Sequence, residues 1–481
     1  MRALHAAAEC YPVVRTGGLG DVLAALPAAQ RALGIDARLL LPGYPAVLAA
    51  LEGGEHVLAL GPVLGAERAD ILRGRFAGSA VPIYAIDAAE LFTREGNPYL
   101  GPDGLDWPDN LQRFGLLSWA AAVLARGGLG GDWCADVLHA HDWHAGLAPA
   151  YAKLAADPRR APGIVQTIHN LAFQGLFPLA SEAALGLPAV GGLEFWGQLS
   201  FMKAGLVHAD RITTVSPGYA REIATPAFGN GLDGVIAARG ADVSGILNGV
   251  DDAQWNPERD PALATRFGPR GQAKRAGNRR ALIAEFGLAD AGGPLFGIVS
   301  RLSHQKGLDL VLAALPTLLD CGGSLVLLGV GDAELERGFT AAAAAVPGRI
   351  AVALRLDDAL SRRIFGGSDV LLVPSRFEPG GLTQLYAMRY GAIPVVRRTG
   401  GLGDTVHDAT PEALAAGTAT GIVFDGETPA AVAAALRRTA ALHADRTAWT
   451  ALQRAAMASR FPWSAAAEAY RDLYRGITAA P

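Results

Sequence analysis

The sequence predicts an α/β protein made of doubly wound units, each built around a parallel β-sheet. Three observations lead to this prediction: a length of 481 residues, short apolar runs that alternate with helical stretches, and a seven-residue string that occurs twice. A chain of this length exceeds one ordinary hydrophobic core, so two or more domains are expected. Apolar runs without polar alternation are typical of strands that helices cover on both faces.

The composition is that of a packed globular protein, with 51% hydrophobic residues, 18% charged residues and a formal net charge of −4. This balance favours neither a disordered chain nor a binding surface for nucleic acid or anionic lipid. Three scattered cysteines indicate a reducing compartment. Because no apolar run reaches membrane-spanning length and the N-terminal run is too short for a secretory signal, we expect a cytoplasmic protein without a membrane or nucleic-acid partner.

Apolar runs mark the strands, and Ala- and Leu-rich stretches between them mark the helices. The clearest runs are residues 136–139, 164–169, 211–216, 295–300, 324–329, 369–375 and 393–396. Many of them lead directly into polar or glycine-rich sequence, and in open α/β sheets ligands bind beyond the carboxyl ends of the strands. We place the boundary between the units near Asn248, which predicts a first unit of residues 1–247, a second of residues 248–460 and a final helix in residues 461–481.

The string Arg-Thr-Gly-Gly-Leu-Gly-Asp occupies residues 15–21 and again residues 398–404. One interpretation is a strand-to-helix turn that needs glycine for its backbone conformation or close packing. The other is an anion site, because bare backbone N–H groups at a helix N-terminus attract a phosphate. Both interpretations stay open, since the string matches neither the dinucleotide fingerprint nor the phosphate-binding loop that ends in Gly-Lys-Ser/Thr.

Two cations and a carboxylate follow the strands predicted at residues 295–300 and 369–375. Arg301 and Lys306 are five residues apart, and a guanidinium and an ammonium can both contact one diphosphate. The alternative for them is a solvated helix end. Glu378 precedes a Pro-Gly-Gly turn, where it could stabilise positive charge on a sugar ring or merely cap a helix.

Two histidine-rich segments, residues 139–144 and 167–170, follow predicted strands. A metal site is disfavoured, because His139 and His141 would share one strand face without a defined third ligand. We favour recognition of sugar hydroxyls, with a hydrogen-bonded core histidine as the alternative for His139. The chain also lacks an Asp-x-Asp pair for a divalent ion. We therefore expect no metal and a leaving group neutralised by protein cations.

Taken together, the motifs resemble the bacterial glycogen synthase family and the related starch synthases, almost from end to end. They are RTGGLGDV, HAHDWHAG, TIHNLAFQG, TVSPGYAREI, GILNGVD, SRLSHQKGLDL, PSRFEPGGLTQLYAMRYG and RRTGGLGDTV. The resemblance implies a GT-B fold, in which two Rossmann-like lobes face a central cleft. The first lobe, completed by the C-terminal helix, would bind the acceptor, and the second lobe would bind the nucleotide sugar. It also implies transfer of glucose from ADP-glucose to the non-reducing end of an α-1,4-glucan such as glycogen, with retention of configuration and no metal or other cofactor.

The resemblance assigns roles to individual residues. Arg301 and Lys306 would hold the diphosphate and stabilise the departing ADP. Glu378 would steady the oxocarbenium-like transition state, and His169 would line the glucose site as a fourth catalytic residue. The expected substrate-binding residues are Arg15, Gly17, Gly18, Asp21, Asp142, Asn170, Asn248, Gly381, Leu382 and Thr383.

Three positions depart from the family pattern. Arg15 stands where the family has lysine, which preserves the charge but not the geometry of the cation. Gly380 stands where the family has cysteine, so a thiol at this position is not essential here. Leu356 stands where the family has an aromatic residue that can stack on the base, so the preference for ADP over UDP is less firmly implied than the glucosyl transfer.

Two other functions stay open at this point. A glucan phosphorylase shares the architecture but needs pyridoxal phosphate on a lysine, and no convincing cofactor context surrounds Lys153, Lys203 or Lys274. A catalytically inactive, glucan-binding regulatory homologue is disfavoured by the intact cations and carboxylate of the second lobe, although the changes at positions 15 and 380 keep it open. A nicotinamide dehydrogenase would need the complete glycine fingerprint.

Overall fold

The computed structural model describes residues 1–128, 133–154, 161–187 and 191–478. The chain divides into two compact units: Met1–Gly249 with Trp463–Pro481, and Val250–Pro462. Residues 479–481, which the sequence assigns to the C-terminal helix, lie outside the described residues. Across the described ranges, no helix is both long and apolar enough to cross a lipid bilayer.

A large, mostly parallel sheet forms the centre of the first unit. The strands described in this unit are β1 (Arg2–Ala6), β2 (Asp36–Pro42), β3 (Glu52–Ala59), β4 (Asp70–Arg75), β5 (Ile83–Asp87), β6 (Val137–His141), β7 (Gly163–Ile168), β8 (Leu176–Pro178), β9 (Glu194–Phe195), β10 (Gln198–Ser200), β11 (Arg211–Thr214) and β12 (Val243–Gly245). The order of the large sheet is β12-β11-β7-β6-β1-β2-β5-β4-β3. Only the β5-β4-β3 edge is antiparallel, and β8, β10 and β9 form a small antiparallel sheet.

The helices of the first unit include one from the far end of the chain. They are α1 (Gly18–Ala32), α2 (Pro45–Ala50), α3 (Ala89–Phe92), α4 (Asn110–Ala125), α5 (Ala148–Lys153), α6 (Phe201–His208), α7 (Pro217–Glu222), α8 (Asp233–Arg239) and the C-terminal helix (Trp463–Thr478). The C-terminal helix buries Trp463, Ala466, Ala467, Tyr470 and Tyr474, whose spacing places them on one face. That face packs into the core of the first unit.

The second unit contains a parallel sheet with the strand order β15-β14-β13-β16-β17-β18 in its described residues. These strands are β13 (Leu295–Val299), β14 (Ser324–Leu328), β15 (Ile350–Ala353), β16 (Val370–Val373), β17 (Ile393–Arg397) and β18 (Ile422–Phe424). Its helices are α9 (Arg275–Glu285), α10 (Leu308–Asp320), α11 (Ala333–Ala345), α12 (Asp358–Gly367), α13 (Thr383–Arg389), α14 (Gly400–Thr405), α15 (Pro411–Ala416), α16 (Pro429–Ala444) and α17 (Arg446–Ala458).

The prediction of two α/β units with parallel sheets is confirmed, and each of the seven apolar runs contains a strand. The reason is burial: every residue of β14, for example, is buried, and all of them after Ser324 are apolar. The antiparallel edge was not predicted. Strand β3 is largely exposed and begins Glu-Gly-Gly-Glu, which hides it from a search for apolar runs.

Candidate active site

An ion pair lies beyond the carboxyl ends of two adjacent strands of the second unit. Lys306 ends a 3₁₀ turn (His304–Lys306) that follows β13, and Glu378 follows β16. The Lys306 Nζ is 2.5 Å from Glu378 Oε2, and their side chains are 16% and 8% exposed. A carboxylate buried to this extent would be costly without compensation. The ammonium supplies a countercharge, and the hydroxyl of Ser375 donates a second hydrogen bond of 2.9 Å to the same oxygen.

Backbone and side-chain contacts hold the Glu378 loop against the Lys306 turn. The backbone N–H of Arg376 donates to the carbonyl of Gln305 at 2.8 Å. The Arg376 guanidinium makes two 2.7 Å hydrogen bonds to Asp309 at the start of α10, which lower the pKa of that carboxyl. From β17, Arg397 donates to the carbonyl oxygens of Ser375 and Arg376. These fixed contacts orient Glu378 without using its own carboxylate.

The turn after Glu378 brings Gly381, Leu382 and Thr383 to the start of α13. Gly381 has a φ of +68°, a conformation that favours glycine. The buried amide of Gln384 donates to the carbonyl oxygens at positions 380 and 381, at 3.1 and 2.9 Å. The alternative that Glu378 caps a helix is wrong, because α13 begins at Thr383 and the Glu378 carboxylate binds Lys306 and Ser375.

Arg301 and Leu356 are exposed beyond β13 and β15. In the part of the chain that the structure describes, the Arg301 guanidinium makes no hydrogen bond or ion pair, so it can bind a ligand without breaking an internal contact. Leu356, the position of the expected base-stacking residue, is 83% exposed. Its aliphatic side chain offers apolar contact but no aromatic face.

In the first unit, residues 15–21 turn from β1 into α1 around a buried carboxylate. Glu9 accepts hydrogen bonds from the backbone N–H groups of Thr16 and Gly17, at 2.6 and 3.3 Å. Its other oxygen accepts from the Thr16 hydroxyl, at 2.5 Å, and from the Tyr99 hydroxyl. Two of the amides that were candidates for a phosphate thus bind an internal anion. The guanidinium of Arg15 is 3.1 Å from the Asp21 carboxylate.

Asp142 shapes the loop that carries His169 and Asn170. Its Oδ1 accepts the backbone N–H groups of both residues, at 2.8 and 3.2 Å. Asp142 has a φ of +54° and is 7% exposed. Burial raises the pKa of its carboxyl to about 7, opposed by these two hydrogen bonds. Asp142 therefore holds the positions of His169 and Asn170 through their backbone.

The histidine segments form a buried, hydrogen-bonded cluster. His5 Nδ1 is 3.0 Å from His141 Nε2, and His141 Nδ1 is 3.0 Å from His169 Nε2. Burial lowers the pKa of His5 to about 4 and that of His169 to about 3, and it lowers the pKa of His139 and His141 well below the usual value. All four imidazoles are therefore neutral at pH 7.

The expectation that His139 and His141 lack a third potential ligand is wrong. The β1–β6 register places His5 directly beside His139, and the three imidazoles lie close enough to share an ion. Hydrogen bonds nevertheless engage the nitrogens: His139 contacts the hydroxyls of Tyr474 and Thr167, at 2.6 and 2.5 Å. His139 is thus a satisfied core histidine, and the contacts favour a hydrogen-bond network over a metal site.

Sequence reasoning missed Glu9, Ser375 and His5. A signal for Glu9 was present, since an acid directly after the first apolar strand and before a glycine-rich turn is unusual. Ser375 lies three residues before Glu378 and could have been noticed as a hydrogen-bond donor. No local signal marks His5, because its role depends on pairing with a strand more than 130 residues away. Asn248 is half-buried and lies two residues before the second unit begins at Val250.

Comparisons with known proteins agree with this geometry. Residues 2–238 match the family described as starch synthase catalytic domain, and residues 280–452 match glycosyl transferases group 1. A glycogen synthase of Acidiphilium cryptum is 52% identical, with 99% of this chain and 100% of that protein covered. One of Paramagnetospirillum magneticum is 49% identical, with 99% and 98% covered. The catalytic domain of starch synthase IV from Arabidopsis thaliana, bound to ADP and acarbose, has a TM-score of 0.88 and 29% identity, with 100% of this chain and 99% of that chain covered.

Proposed function

The chain belongs to the bacterial glycogen synthase family and is a glycosyltransferase with the GT-B fold, and from this premise we propose how its residues carry out the reaction. It transfers glucose from ADP-glucose to the non-reducing end of an α-1,4-glucan, with retention of configuration. The starch synthase that shares the fold holds ADP and acarbose, which supports this donor and acceptor. The observation that carries our assignment of the site is the Lys306–Glu378 ion pair beyond strands β13 and β16.

The reaction first requires stabilisation of the leaving group, because a departing nucleoside diphosphate gains negative charge. We propose that Arg301 and Lys306 bind that diphosphate as preorganised cations. Arg301 is exposed and has no competing partner among the described residues. Lys306 already lies against Glu378, so its ammonium would be shared between the diphosphate and the carboxylate once the donor binds.

The glucose becomes electron-deficient as the diphosphate leaves, so the reaction also needs negative charge near the sugar. We propose that Glu378 supplies this charge. A carboxylate beside the sugar can stabilise positive charge on the anomeric carbon and ring oxygen. Ser375 helps to hold the Glu378 carboxylate in one orientation. Gly381, Leu382 and Thr383 are proposed to contact the donor at the turn into α13.

The first unit is proposed to bind the sugar and the glucan. His169 and Asn170, held by Asp142, would contact the donor glucose. The turn built around Glu9 would present its exposed residues to the acceptor. The remaining members of the proposed substrate-binding set in this unit are Arg15, Gly17, Gly18, Asp21 and Asn248. No metal ion or other cofactor is invoked in this scheme.

The decisive experiment measures release of ADP from ADP-glucose and of UDP from UDP-glucose, each with and without glycogen. Glucan-dependent release from ADP-glucose is expected to exceed release from UDP-glucose. Glu378→Gln should lower kcat by about a thousandfold or more, because it removes charge from the transition state. It should also lower the melting temperature, since the ammonium of Lys306 loses its buried countercharge. Lys306→Ala should raise KM for ADP-glucose and lower kcat together, since it removes a diphosphate contact and the countercharge of Glu378.

Matched controls come from the same unit. Lys274 is an exposed lysine outside the site, and Glu285 pairs with Arg363 on the surface. Lys274→Ala and Glu285→Gln should retain wild-type turnover. Wild-type turnover by Glu378→Gln would remove this carboxylate from the mechanism. A wild-type protein that binds glycogen but releases no nucleotide would identify an inactive glucan-binding homologue instead.

A further inference from the structure

A line of buried imidazoles connects helix α1 to His169. The side-chain oxygen of Gln30 is 2.7 Å from His5 Nε2. His5 then contacts His141, and His141 contacts His169, each at 3.0 Å between ring nitrogens. Gln30, His5 and His141 are each fully buried, so no solvent molecule competes at these contacts. The line crosses from α1 through β1 and β6 to the end of β7.

The acceptor at one end of this line dictates the proton position on every ring. An amide oxygen can only accept, so the Nε2 of His5 must carry the proton and its Nδ1 must accept. His141 must then donate from Nε2 and accept at Nδ1. His169 must in turn donate from Nε2, because a neutral imidazole has one donor and one acceptor. This leaves His169 with an unprotonated Nδ1.

We propose that Gln30, acting through His5 and His141, fixes His169 in the Nε2-protonated tautomer, so that its Nδ1 accepts a hydrogen bond from a hydroxyl of the transferred sugar. Gln30, His5 and His141 are positioning residues in this proposal, since none of them contacts the substrate. The proposal rests on the proposed function for the sugar contact of His169, but the tautomer itself does not depend on it.

The chemistry of the acceptor nitrogen decides which ligand groups can occupy this position. An imidazole lone pair attracts a hydroxyl hydrogen and repels the oxygens of a phosphate or carboxylate. His169 is half-buried, and no residue in the described ranges bonds to its Nδ1. The site would therefore select a neutral sugar hydroxyl and reject an anionic group at the same ring position.

The nitrogen of the Gln30 amide contacts the C-terminal helix. The Gln30 Nε2 donates to the hydroxyl of Tyr474 on the C-terminal helix, at 3.1 Å. The Tyr474 hydroxyl in turn lies 2.6 Å from His139 Nδ1. The C-terminal helix thereby contributes to the order of protons at the sugar site. Burial lowers the pKa of His5, His141 and His169, so each ring of the line is neutral and has one donor and one acceptor.

The first test measures the tautomer directly. Side-chain ¹⁵N chemical shifts of histidine-labelled enzyme, with the His169 signals identified by their loss in His169→Gln, distinguish the protonated from the unprotonated ring nitrogen. A protonated Nε2 and an unprotonated Nδ1 are expected for His169 in the ligand-free enzyme. A protonated Nδ1 would overturn the proposal, whatever the activity of the enzyme.

The second test uses Gln30→Met, which keeps the length of the side chain but removes its acceptor. His169 should then populate both tautomers, and kcat/KM for ADP-glucose should fall about twofold, in proportion to the fraction of enzyme whose Nδ1 still accepts. Gln453→Met is the matched control, because Gln453 is also a buried glutamine within a helix but lies in the second unit. It should leave the His169 shifts unchanged. An unchanged His169 tautomer in Gln30→Met would also overturn the proposal.

Donor analogues separate the tautomer from the sugar contact. ADP-glucose with each sugar hydroxyl replaced in turn by fluorine keeps a weak acceptor but loses the hydroxyl donor. At the ring position that faces His169, the decrease in kcat/KM caused by Gln30→Met should disappear, and comparison of the two enzymes cancels the inductive effect of fluorine. If Gln30→Met lowers kcat/KM for every analogue while His169 has the expected tautomer, His169 does not contact the sugar. The proposed positions of the protons on the three rings would still be correct.

Discussion

The string Arg-Thr-Gly-Gly-Leu-Gly-Asp begins a helix in both units, and its two copies, residues 15–21 and 398–404, have different surroundings. Helix α1 continues for 15 residues, whereas α14 ends after six. The leucine of the string is buried in both copies, Leu19 and Leu402 being 6% and 0% exposed. The shared features are therefore local: an extended residue before the helix and a leucine that anchors its first turn.

The first two glycines of the first copy are accessible, whereas the third, Gly20, is buried. Gly17 is half-buried and Gly18 is exposed. A methyl group at Gly17 would meet no atom within 4 Å, and the N–H of Gly17 is directed to Glu9. The packing interpretation does not explain the glycine at this position. An anion does lie at these amides, but it is a carboxylate of the protein itself.

The second copy is closed by the loop of the candidate catalytic carboxylate. A methyl group at Gly401 would lie 2.2 Å from the carbonyl oxygen of Gly380 and 2.6 Å from its Cα. The N–H of Gly401 donates to the carbonyl oxygens of Glu378 and Pro379, at 3.0 and 3.2 Å. Here glycine is required for close approach. One string thus supports an exposed turn in one unit and the buried Glu378 loop in the other.

Acidification should produce the largest difference between the two units in their free energy of unfolding. Among the histidines, burial lowers the pKa of six in the first unit and of His443 in the second; the six are His5, His139, His141, His144, His169 and His208. Their stabilisation is complete above the unfolded value of about 6.5 and is lost as the pH falls, because the unfolded chain then binds protons that the folded unit excludes. With a folded pKa of about 4, His5 alone would cost on the order of 3 kcal/mol by pH 4.

Asp142 opposes this loss, because its raised pKa of about 7 favours the folded state as the pH falls from 7 to about 4. Asp142 is one group against six histidines, so we expect the first unit to unfold first. Hydrogen exchange of the full chain at pH 7 and pH 4.5, corrected for intrinsic rates, should show earlier loss of protection in β6 and β7 than in β13 and β16. Earlier loss in the second unit would contradict this comparison.

Gly401→Ala should have the next largest effect. The added methyl group would collide with backbone at Gly380, and we expect destabilisation of about 2 kcal/mol, or a fall of about 4–8 °C in melting temperature. Turnover should fall as well, because the Glu378 loop must move. Gly403→Ala in the same string is the control, since its methyl group would meet only an Arg398 side-chain carbon at 3.5 Å. Equal effects of the two substitutions would show that the contact with Gly380 is unimportant.

Glu9→Gln tests the internal anion of the first copy. The amide nitrogen of glutamine can replace only the oxygen that faces the Thr16 and Tyr99 hydroxyls, which would then have to accept instead of donate. The substitution also removes the negative charge beside the backbone N–H groups of Thr16 and Gly17. We expect a loss of about 1–3 kcal/mol, measured by calorimetry. The control is Glu427→Gln, because Glu427 is 45% exposed in its ion pair with Arg397, and it should cost less than about 1 kcal/mol. If Glu9→Gln left the free energy of unfolding unchanged, the turn would not need the negative charge of Glu9.

The smallest difference is expected between substitutions of Arg15 and Arg398, the first residues of the two copies of the string. Arg15→Ala is expected to raise KM for the glucan or ADP-glucose about fivefold, the effect of a contact of about 1 kcal/mol, with little change in melting temperature. Arg398 is 54% exposed and pairs with Asp425, and Arg398→Ala should alter neither quantity. If both substitutions raise KM equally, Arg15 has no special place in the substrate site.

Much of the fold was predictable from the sequence because burial leaves a local record. Strands β13, β14 and β16 are apolar at consecutive positions, and the polar residues that follow them mark the sheet edge where Lys306 and Glu378 lie. The exposed strand β3 left no such record. The roles of the candidate residues remain predictions, but their positions after the strands follow from the alternation of apolar and polar sequence.

The sequence by itself determined which segments become buried strands, where helices begin and which chemical groups follow the strands, since these depend on neighbours a few residues apart. Only the tertiary structure decided which partner each group meets. The β1–β6 register sets His5 beside His139, the packing of the C-terminal helix brings Tyr474 to Gln30, and the approach of two loops places Gly401 against Gly380. The reason is physical: hydrogen-bond partners and steric contacts between distant residues depend on strand register and chain crossovers, which no local pattern of polarity records.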